Sequence, residues 1–185
     1  GDNNAVGMCS QFSTTTGAGN NSMGHKSMEL NISGNSNVAI GEQSLRRNTT
    51  ADNNTAVGTE ALCANTTATE NTAVGHKALK ANTTGACNTA VGKNALLANV
   101  ATHRNTAVGQ NALCAATAGD GNTGIGRQAG QAITTGDNNT ALGGNTQVGT
   151  TGSNNTAIGD GAGSDAVRTI TTNSNEIVIG NNSSS

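Results

Sequence analysis

Large apolar side chains are scarce in this chain of 185 residues, and aromatic rings are almost absent. Leu, Ile, Val and Phe together supply 27 residues, Phe12 is the only aromatic residue, and there is no Pro, Trp or Tyr. This composition excludes an ordinary globular core and is typical of disordered chains. Disordered chains, however, are usually rich in charge, whereas only 11% of these residues are charged and the net charge is -2. A feature other than bulk hydrophobicity must therefore organise the chain.

The shortage of charge and of long apolar runs also excludes two classes of partner. Nucleic-acid binding needs clustered Lys and Arg, which this sequence does not have, so we expect no nucleic-acid partner. A membrane span needs about 18 consecutive apolar residues, and no run approaches that length, so we expect no membrane insertion. No leader segment is recognisable and the chain does not begin with Met, so we expect a mature product or a segment of something longer.

What the sequence does contain is a seventeen-residue repeat, whose copies run for instance from Gly58 to Gly75 and from Gly75 to Gly92. Its working consensus is Asn-Thr-Ala-Val-Gly-x-x-Ala-Leu-x-x-Asn-Thr-Thr-Gly-x-x. Aligned on the glycine after Val, nine copies follow one another at constant spacing, the step to Gly159 is one residue shorter, and the step to Gly180 is longer. We expect these glycines to permit a bend in each repeat. They are Gly7, Gly24, Gly41, Gly58, Gly75, Gly92, Gly109, Gly126, Gly143, Gly159 and Gly180.

Two apolar columns accompany the glycines. The residue before each glycine is apolar, and in the central repeats it is Val57, Val74, Val91 and Val108. The residue four places after the glycine is Leu45, Leu62, Leu79, Leu96 and Leu113. We expect the valine column to fill the interior and the leucine column to pack either inside or between chains. The sequence does not decide which of the two columns faces a partner chain.

The repeat length selects the fold. Seventeen residues are too few for a helical hairpin or a leucine-rich repeat, and Asn, Thr and Gly are poor helix formers. Seventeen extended residues span about 56 Å, enough for two short strands and two tight bends per turn. The sequence therefore predicts an all-β fold, a parallel β-solenoid or β-roll of about ten turns across residues 1–160. Stacked at ~4.8 Å per turn, it would form a rod about 45–50 Å long.

Stacking places identical side chains in ladders along the rod. Asn ladders hydrogen-bond along the axis in cross-β assemblies, and together with close Ala and Val packing they can replace a bulky core. A thin roll can bury only one of the two apolar columns. The other would form an exposed stripe too long for a soluble monomer, so we expect self-association.

Beyond residue 160 the repeat loses its register. The segment Gly161–Ser174 contains Asp165, Arg168 and the run Thr169–Thr172, and a further strand is predicted within Glu176–Gly180. We interpret residues 161–180 as an irregular closing turn or a neck transition, and residues 181–185 as a flexible tail.

The repeats resemble those of a known class of fibre proteins. Asn35–Gly41 reads NSNVAIG and Asn53–Gly58 reads NNTAVG, which is similar to the head repeats of trimeric autotransporter adhesins. Similar arrays occur in phage and virus tail fibres, where a segment like Asn175–Gly180 often precedes a trimerising module. The serine that the adhesin repeats carry after the glycine is matched here by Ser10, Ser27 and Ser44.

This resemblance implies a left-handed parallel β-roll assembled as a homotrimer, displayed outside the cell or on a cell or virion surface. It implies a role in attachment, with a host-surface glycan or protein receptor as partner. The adhesin repeat is shorter than the repeat of this chain, so the shape of the roll does not follow from the resemblance.

The histidines and cysteines are too widely spaced for a site within one chain. His25 and His76 share a column but lie three turns apart, about 14 Å, so they cannot share a metal ion. Cys63 and Cys114 are likewise three turns apart, beyond the ~7 Å limit between Cα atoms for a disulfide. We expect no metal and no cofactor. We expect free cysteines in small apolar slots, with an inter-chain disulfide as the alternative.

No residues suggest catalysis. Asp2, Asp52, Asp120 and Asp137 fall in predicted bends, and they are too irregular for calcium-binding repeats, which need a carboxylate in nearly every turn. There are no paired carboxylates, no nucleophile elbow and no phosphate loop, so we expect no enzyme activity. The glycosylation motif Asn-x-Ser/Thr arises as a by-product of the repeat. It begins, among other positions, at Asn20, Asn31, Asn48, Asn53, Asn65, Asn82, Asn138 and Asn154.

Three functions are consistent with these features. The first is a non-enzymatic structural and attachment module of an extracellular trimeric fibre, which presents repeated polar ladders to a receptor. The second is a subunit of an extracellular filament in which solenoids stack end to end. The third is a monomeric ice-binding solenoid, which the sequence favours least because a Thr-x-Thr pairing is not maintained.

Overall fold

The computed structural model describes residues 1–164 and 172–180, which form eleven three-residue strands in a single parallel sheet and no helix within those ranges. Each strand pairs with the next strand along the chain, and equivalent residues of successive turns are partners, as Ala56 and Ala73 are. The predicted parallel β-solenoid of about ten turns is confirmed. The strands are β1 (Asn4–Val6), β2 (Asn21–Met23), β3 (Val38–Ile40), β4 (Thr55–Val57), β5 (Thr72–Val74), β6 (Thr89–Val91), β7 (Thr106–Val108), β8 (Thr123–Ile125), β9 (Thr140–Leu142), β10 (Thr156–Ile158) and β11 (Ile177–Ile179).

Each turn contains one strand, so the expectation of two strands per turn is wrong. On the side opposite the sheet, alternate residues have positive φ, such as +58° at Glu60 and +52° at Leu62. A β-strand requires negative φ at every residue, so this segment cannot be extended. It still bonds to both neighbouring turns, because the Leu62 N–H donates to the Ala78 carbonyl at 2.9 Å and the Glu60 N–H donates to the Glu42 carbonyl at 2.9 Å.

The interior contains two alanine columns and one leucine column. One alanine column comes from the strands, and the other lies three residues after the repeat glycines and consists of Ala61, Ala78, Ala95, Ala112 and Ala129. The central residue of each strand points inward, and Ala56, Ala73 and Ala90 are fully buried there. The leucines reach the same space from the opposite side, and all five predicted members, Leu45, Leu62, Leu79, Leu96 and Leu113, have no exposed surface.

The valine column does not fill the interior, contrary to expectation. Val91 and Val108 each expose 36% of their surface, and Val57 and Val74 are half-buried. The reason is the two-residue period of a strand, because it places Val on the same outward face as Thr whenever Ala points inward.

Two ladders of fully buried asparagines flank this apolar interior. The first occupies the position before each of the strands β2 to β10. There the Asn54 Nδ2 donates to the Ala68 carbonyl at 2.8 Å, and the Asn54 Oδ1 accepts from the Asn71 N–H at 3.0 Å. Its members are Asn20, Asn37, Asn54, Asn71, Asn88, Asn105, Asn122, Asn139 and Asn155.

The second ladder runs up the other side of the same bend. The Asn65 Nδ2 donates both to the Asn48 Oδ1, at 2.9 Å, and to the Ala68 carbonyl, at 3.0 Å. The two ladders therefore converge on one column of backbone carbonyls and satisfy polar groups that would otherwise be buried without partners. The members of the second ladder are Asn31, Asn48, Asn65, Asn82 and Asn99.

The repeat glycines lie at the corner that follows each strand. From Gly7 to Gly159 their φ values lie between +121° and +138°, and Gly180 has a φ of +77°. A Cβ at Gly58 would approach the Gly75 carbonyl oxygen to 2.6 Å. Both the backbone conformation and the close approach of the next turn therefore require glycine here.

The regular repeat ends where the sequence predicts a change. In strand β10, Thr156 pairs with Thr140 of β9, which makes this turn one residue shorter than the repeat. On its other side Thr156 pairs with Ile177 of β11, so the last turn is longer than the repeat. Asp165, Arg168 and all but the last residue of Thr169–Thr172 lie outside the described residues, as does the predicted tail of residues 181–185.

Candidate interaction surface

The sheet presents one continuous outward surface, which we call the strand face. It consists of the first and third side chains of every strand, since the central side chain points inward. The first column contains half-buried threonines from Thr55 to Thr156. The third column is apolar in all eleven strands. Its members are Val6, Met23, Ile40, Val57, Val74, Val91, Val108, Ile125, Leu142, Ile158 and Ile179.

The strand face has the composition of an interface centre with a polar rim. Neither of its two columns contains a charged side chain in any strand. Charged and polar residues flank it instead, including Lys93 and Arg127 in the column after the glycines and Glu70 and Arg104 in the column before the Asn ladder. Depletion of charge at the centre with polar residues around it is the pattern seen in protein interfaces.

Carboxylates and basic side chains pair on the side of the rod opposite the sheet. The Glu29 carboxylate accepts from the Arg46 Nε at 2.7 Å, and the Glu60 carboxylate lies 3.0 Å from the Lys80 Nζ and 3.6 Å from the Lys77 Nζ. The hydrogen bond from Arg46 lowers the pKa of the Glu29 carboxyl, and the hydrogen bond from Lys80 lowers the pKa of the Glu60 carboxyl. Each carboxylate is therefore held in its charged form by a basic partner on a neighbouring turn.

A pocket of about 470 Å³ lies beside these pairs, around the half-buried thiol of Cys63. Burial raises the pKa of Cys63, and it also raises the pKa of Cys114. Cys87 is exposed rather than in a slot, and its Sγ lies 3.3 Å from a Glu70 carboxylate oxygen, a contact that raises the pKa of this thiol. A raised pKa disfavours the thiolate, which is the nucleophilic form of cysteine, in all three residues.

Four of the remaining polar residues that the sequence singles out make contacts between turns, namely His25, Asp52, Asp120 and Asp137. His25 lies 3.7 Å from a Glu42 oxygen. The Asp52 carboxylate accepts from the Asn35 N–H at 2.6 Å, which joins two turns at the bend. In residues 1–164 and 172–180, no three His, Cys, Asp or Glu side chains are grouped so that they could hold a metal ion. None of the described segments forms a helix long and apolar enough to cross a membrane.

The alternation of the Thr-Ala-Val triplet predicts that Thr and Val share one face of the strand and that Ala lies on the other, and the structure confirms this. What the sequence did not predict is that the face shared by Thr and Val points outward. Comparison with protein-family models, with curated proteins and with solved structures gives no match.

Proposed function

We propose that this chain is a non-enzymatic structural and attachment module, which associates with two further copies through the strand face to form an extracellular fibre. The observation that carries the proposal is the unbroken apolar column of the strand face, which runs through all eleven strands. The resemblance to adhesin head and tail-fibre repeats supports the trimeric form and display on a cell or virion surface.

The exposed area of this column is large enough to drive association only when its whole length is used. Val91 exposes 36% of its surface and Ile40 exposes 42%. Fully burying a Val or Ile side chain stabilises by about 1.5–3 kcal/mol, so burying these remainders contributes about 1 kcal/mol each, or about 10 kcal/mol along the rod. Association costs about 4–15 kcal/mol, so a fragment of a few turns would stay monomeric.

The rest of the surface is suited to presentation rather than chemistry. The bend that contains the Asn ladders also carries a second threonine column on its surface, in which the Thr49 Oγ1 donates to the Thr66 carbonyl at 3.0 Å and the Thr66 Oγ1 donates to the Thr83 carbonyl at 3.1 Å. A trimer would offer three such columns, and many weak contacts of one kind add up to useful avidity. The partner we propose is a host-surface glycan or protein receptor.

Charge introduced into the strand face tests the association. In Val91→Lys/Val108→Lys, the ammonium groups would have to be desolvated between chains, so the trimer should dissociate. The matched control is Val100→Lys, because Val100 is 44% exposed but lies outside the strand face. Sedimentation should give a trimer for the control and a single chain for the double variant, both with the parent's circular dichroism. A double variant that remains trimeric contradicts an interface at this face.

Attachment is tested separately from assembly. The trimer should bind a glycan array or host cells at least tenfold more strongly than the monomeric double variant does, because the monomer loses the avidity. Equal binding by both forms would contradict multivalent attachment.

Ice binding is a second candidate, and one observation favours it. The strand face sets a threonine column and a branched apolar column side by side, two residues or about 7 Å apart, on a sheet free of charge. The strands from Thr55 to Leu142 therefore present Thr and a branched apolar residue in the two outward positions, where a Thr-x-Thr motif would present two threonines. A thermal-hysteresis measurement on the parent chain tests it, and the absence of hysteresis at millimolar protein would eliminate it.

A further inference from the structure

The structure divides the eight glycosylation motifs of the described residues into two groups. Asn53, Asn138 and Asn154 are exposed at one bend. The other five acceptors are fully buried members of the two ladders, namely Asn20, Asn31, Asn48, Asn65 and Asn82. An N-glycan is normally attached to an asparagine at the surface, whereas these five motifs place the acceptor asparagine inside the fold.

We infer that five of these asparagines cannot carry an N-glycan in the folded protein, and that the chain therefore matures without passing through a compartment that N-glycosylates nascent chains. This inference does not depend on the proposed attachment function. It concerns the route by which the protein is made.

The chemistry of the modification explains the conflict. The Asn Nδ2 attacks C1 of an oligosaccharide held on a lipid diphosphate; the N–C1 bond forms, the C1–O bond to the diphosphate breaks, and the amide loses one proton. In Asn48 both amide hydrogens are already used, for the Asn31 Oδ1 at 2.9 Å and for the Ala51 carbonyl at 3.0 Å. A sugar would remove one of these bonds and would occupy a position with no exposed surface.

The acceptor asparagines are nevertheless accessible when the oligosaccharide is transferred, because transfer takes place on the nascent chain. Asn48 has one ladder partner in the preceding turn, Asn31, and one in the following turn, Asn65, so Asn48 cannot be enclosed until the following turn has been synthesised. Asn48, Asn65 and Asn82 all stand in Asn-Thr-Thr, which supplies the required hydroxyl residue. A glycosylating compartment would thus modify positions that must later be buried.

The second residue after each buried acceptor allows a test that leaves the ladders intact. Thr50, Thr67 and Thr84 are exposed, and the same column contains Ala101 and Ala118 in later turns. Ala is therefore compatible with the fold at this column. Replacing Ser22 and Ser33 as well removes all five motifs in the variant Ser22→Ala/Ser33→Ala/Thr50→Ala/Thr67→Ala/Thr84→Ala.

The experiment expresses the full chain behind a cleavable secretion signal in animal cells. We expect the parent to be retained in the cells with glycans on Asn48, Asn65 and Asn82, identified by mass spectrometry of the peptides. The five-site variant should be secreted as a folded protein in at least tenfold greater yield, with no glycan on the five buried asparagines. The matched control Thr16→Ala/Thr135→Ala/Thr151→Ala changes exposed threonines of the same column, removes no motif, and should behave like the parent.

Folding of each variant is checked independently. All three chains made in the bacterial cytosol should give the same circular dichroism spectrum and unfolding midpoint within a few degrees. Equal secreted yields of parent and five-site variant would overturn the inference, whether both yields are high or both are low. So would a secreted, folded parent that carries glycans on the buried asparagines.

Discussion

The asparagine ladder offers a direct test of what stabilises a rod with so few large apolar residues. Asn65 stands in the middle of the second ladder, and its side chain takes part in three hydrogen bonds. Its Nδ2 donates to the Asn48 Oδ1 and the Ala68 carbonyl, and its Oδ1 accepts from the Asn82 Nδ2 at 3.3 Å. In Asn65→Ala, the Ala68 carbonyl and the Asn82 Nδ2 each keep one other partner, but the Asn48 Oδ1 loses its only one.

The magnitude follows from these contacts. Three buried hydrogen bonds contribute about 1 kcal/mol each, and the orphaned Asn48 oxygen costs about 1–3 kcal/mol. We therefore expect Asn65→Ala to lower the free energy of unfolding by about 4–6 kcal/mol. In a protein of this size the midpoint of thermal unfolding changes by about 2–4 °C per kcal/mol, so it should fall by about 8–24 °C.

The same ladder contains its own control. Asn99 is equally buried, but its Nδ2 has no hydrogen-bond partner and its Oδ1 accepts only from the Thr102 N–H at 3.3 Å. The next residue in this column is already Ala116, so Ala fits there. Asn99→Ala should cost about 1 kcal/mol. Urea and thermal unfolding followed by circular dichroism would refute the reasoning if the two variants were destabilised equally.

Three further predictions concern the core, the corner and pH. Leu79→Ala should lower the free energy of unfolding by about 3 kcal/mol because it leaves a cavity in a fully buried column. Val74→Ala changes a half-buried residue of the strand face and should cost less than about 1.5 kcal/mol in a single chain. Urea unfolding compares the two substitutions, each made in a monomeric form of the protein. Gly92→Ala should cost about 3 kcal/mol or more, or prevent folding, which circular dichroism would show. Gly92 has a φ of +133°, and a Cβ there would lie 2.5 Å from the Gly109 carbonyl oxygen of the next turn. The pKa of Glu29 is lower in the folded chain than its ordinary value of 4.5, so its ion pair contributes stability that is complete above that ordinary value and is lost as the pH falls through the lowered one. The unfolding midpoint should therefore fall less steeply with decreasing pH in Glu29→Gln than in the parent.

The solenoid could be predicted because its causes are local and repeated. The spacing of the glycine column fixes the length of a turn, and the Asn and Gly residues around Asn54 and Gly58 mark its bends. Asparagine ladders that hydrogen-bond along the axis were also predicted from the sequence. Their bonds to backbone groups, such as the Ala68 carbonyl, were not predicted.

Two features could not be predicted, and both depend on the backbone of the long side of the turn. Positive φ at Glu60 and Leu62 has no sequence signature, because neither residue type favours that conformation. This conformation removes the second strand and turns the leucines inward. With Leu62 and Ala56 inside, the thin roll has no room for Val57, which must face outward.

The solution mass of the unmodified chain, measured by light scattering behind a sizing column, tests the central claim most directly. Association through the strand face into a trimer predicts a mass near three times 18.1 kDa across a wide range of concentrations. Material far above that mass, or lost in the void volume, would favour an end-to-end filament. A single-chain mass at high concentration would contradict self-association and leave the strand face free, as ice binding requires.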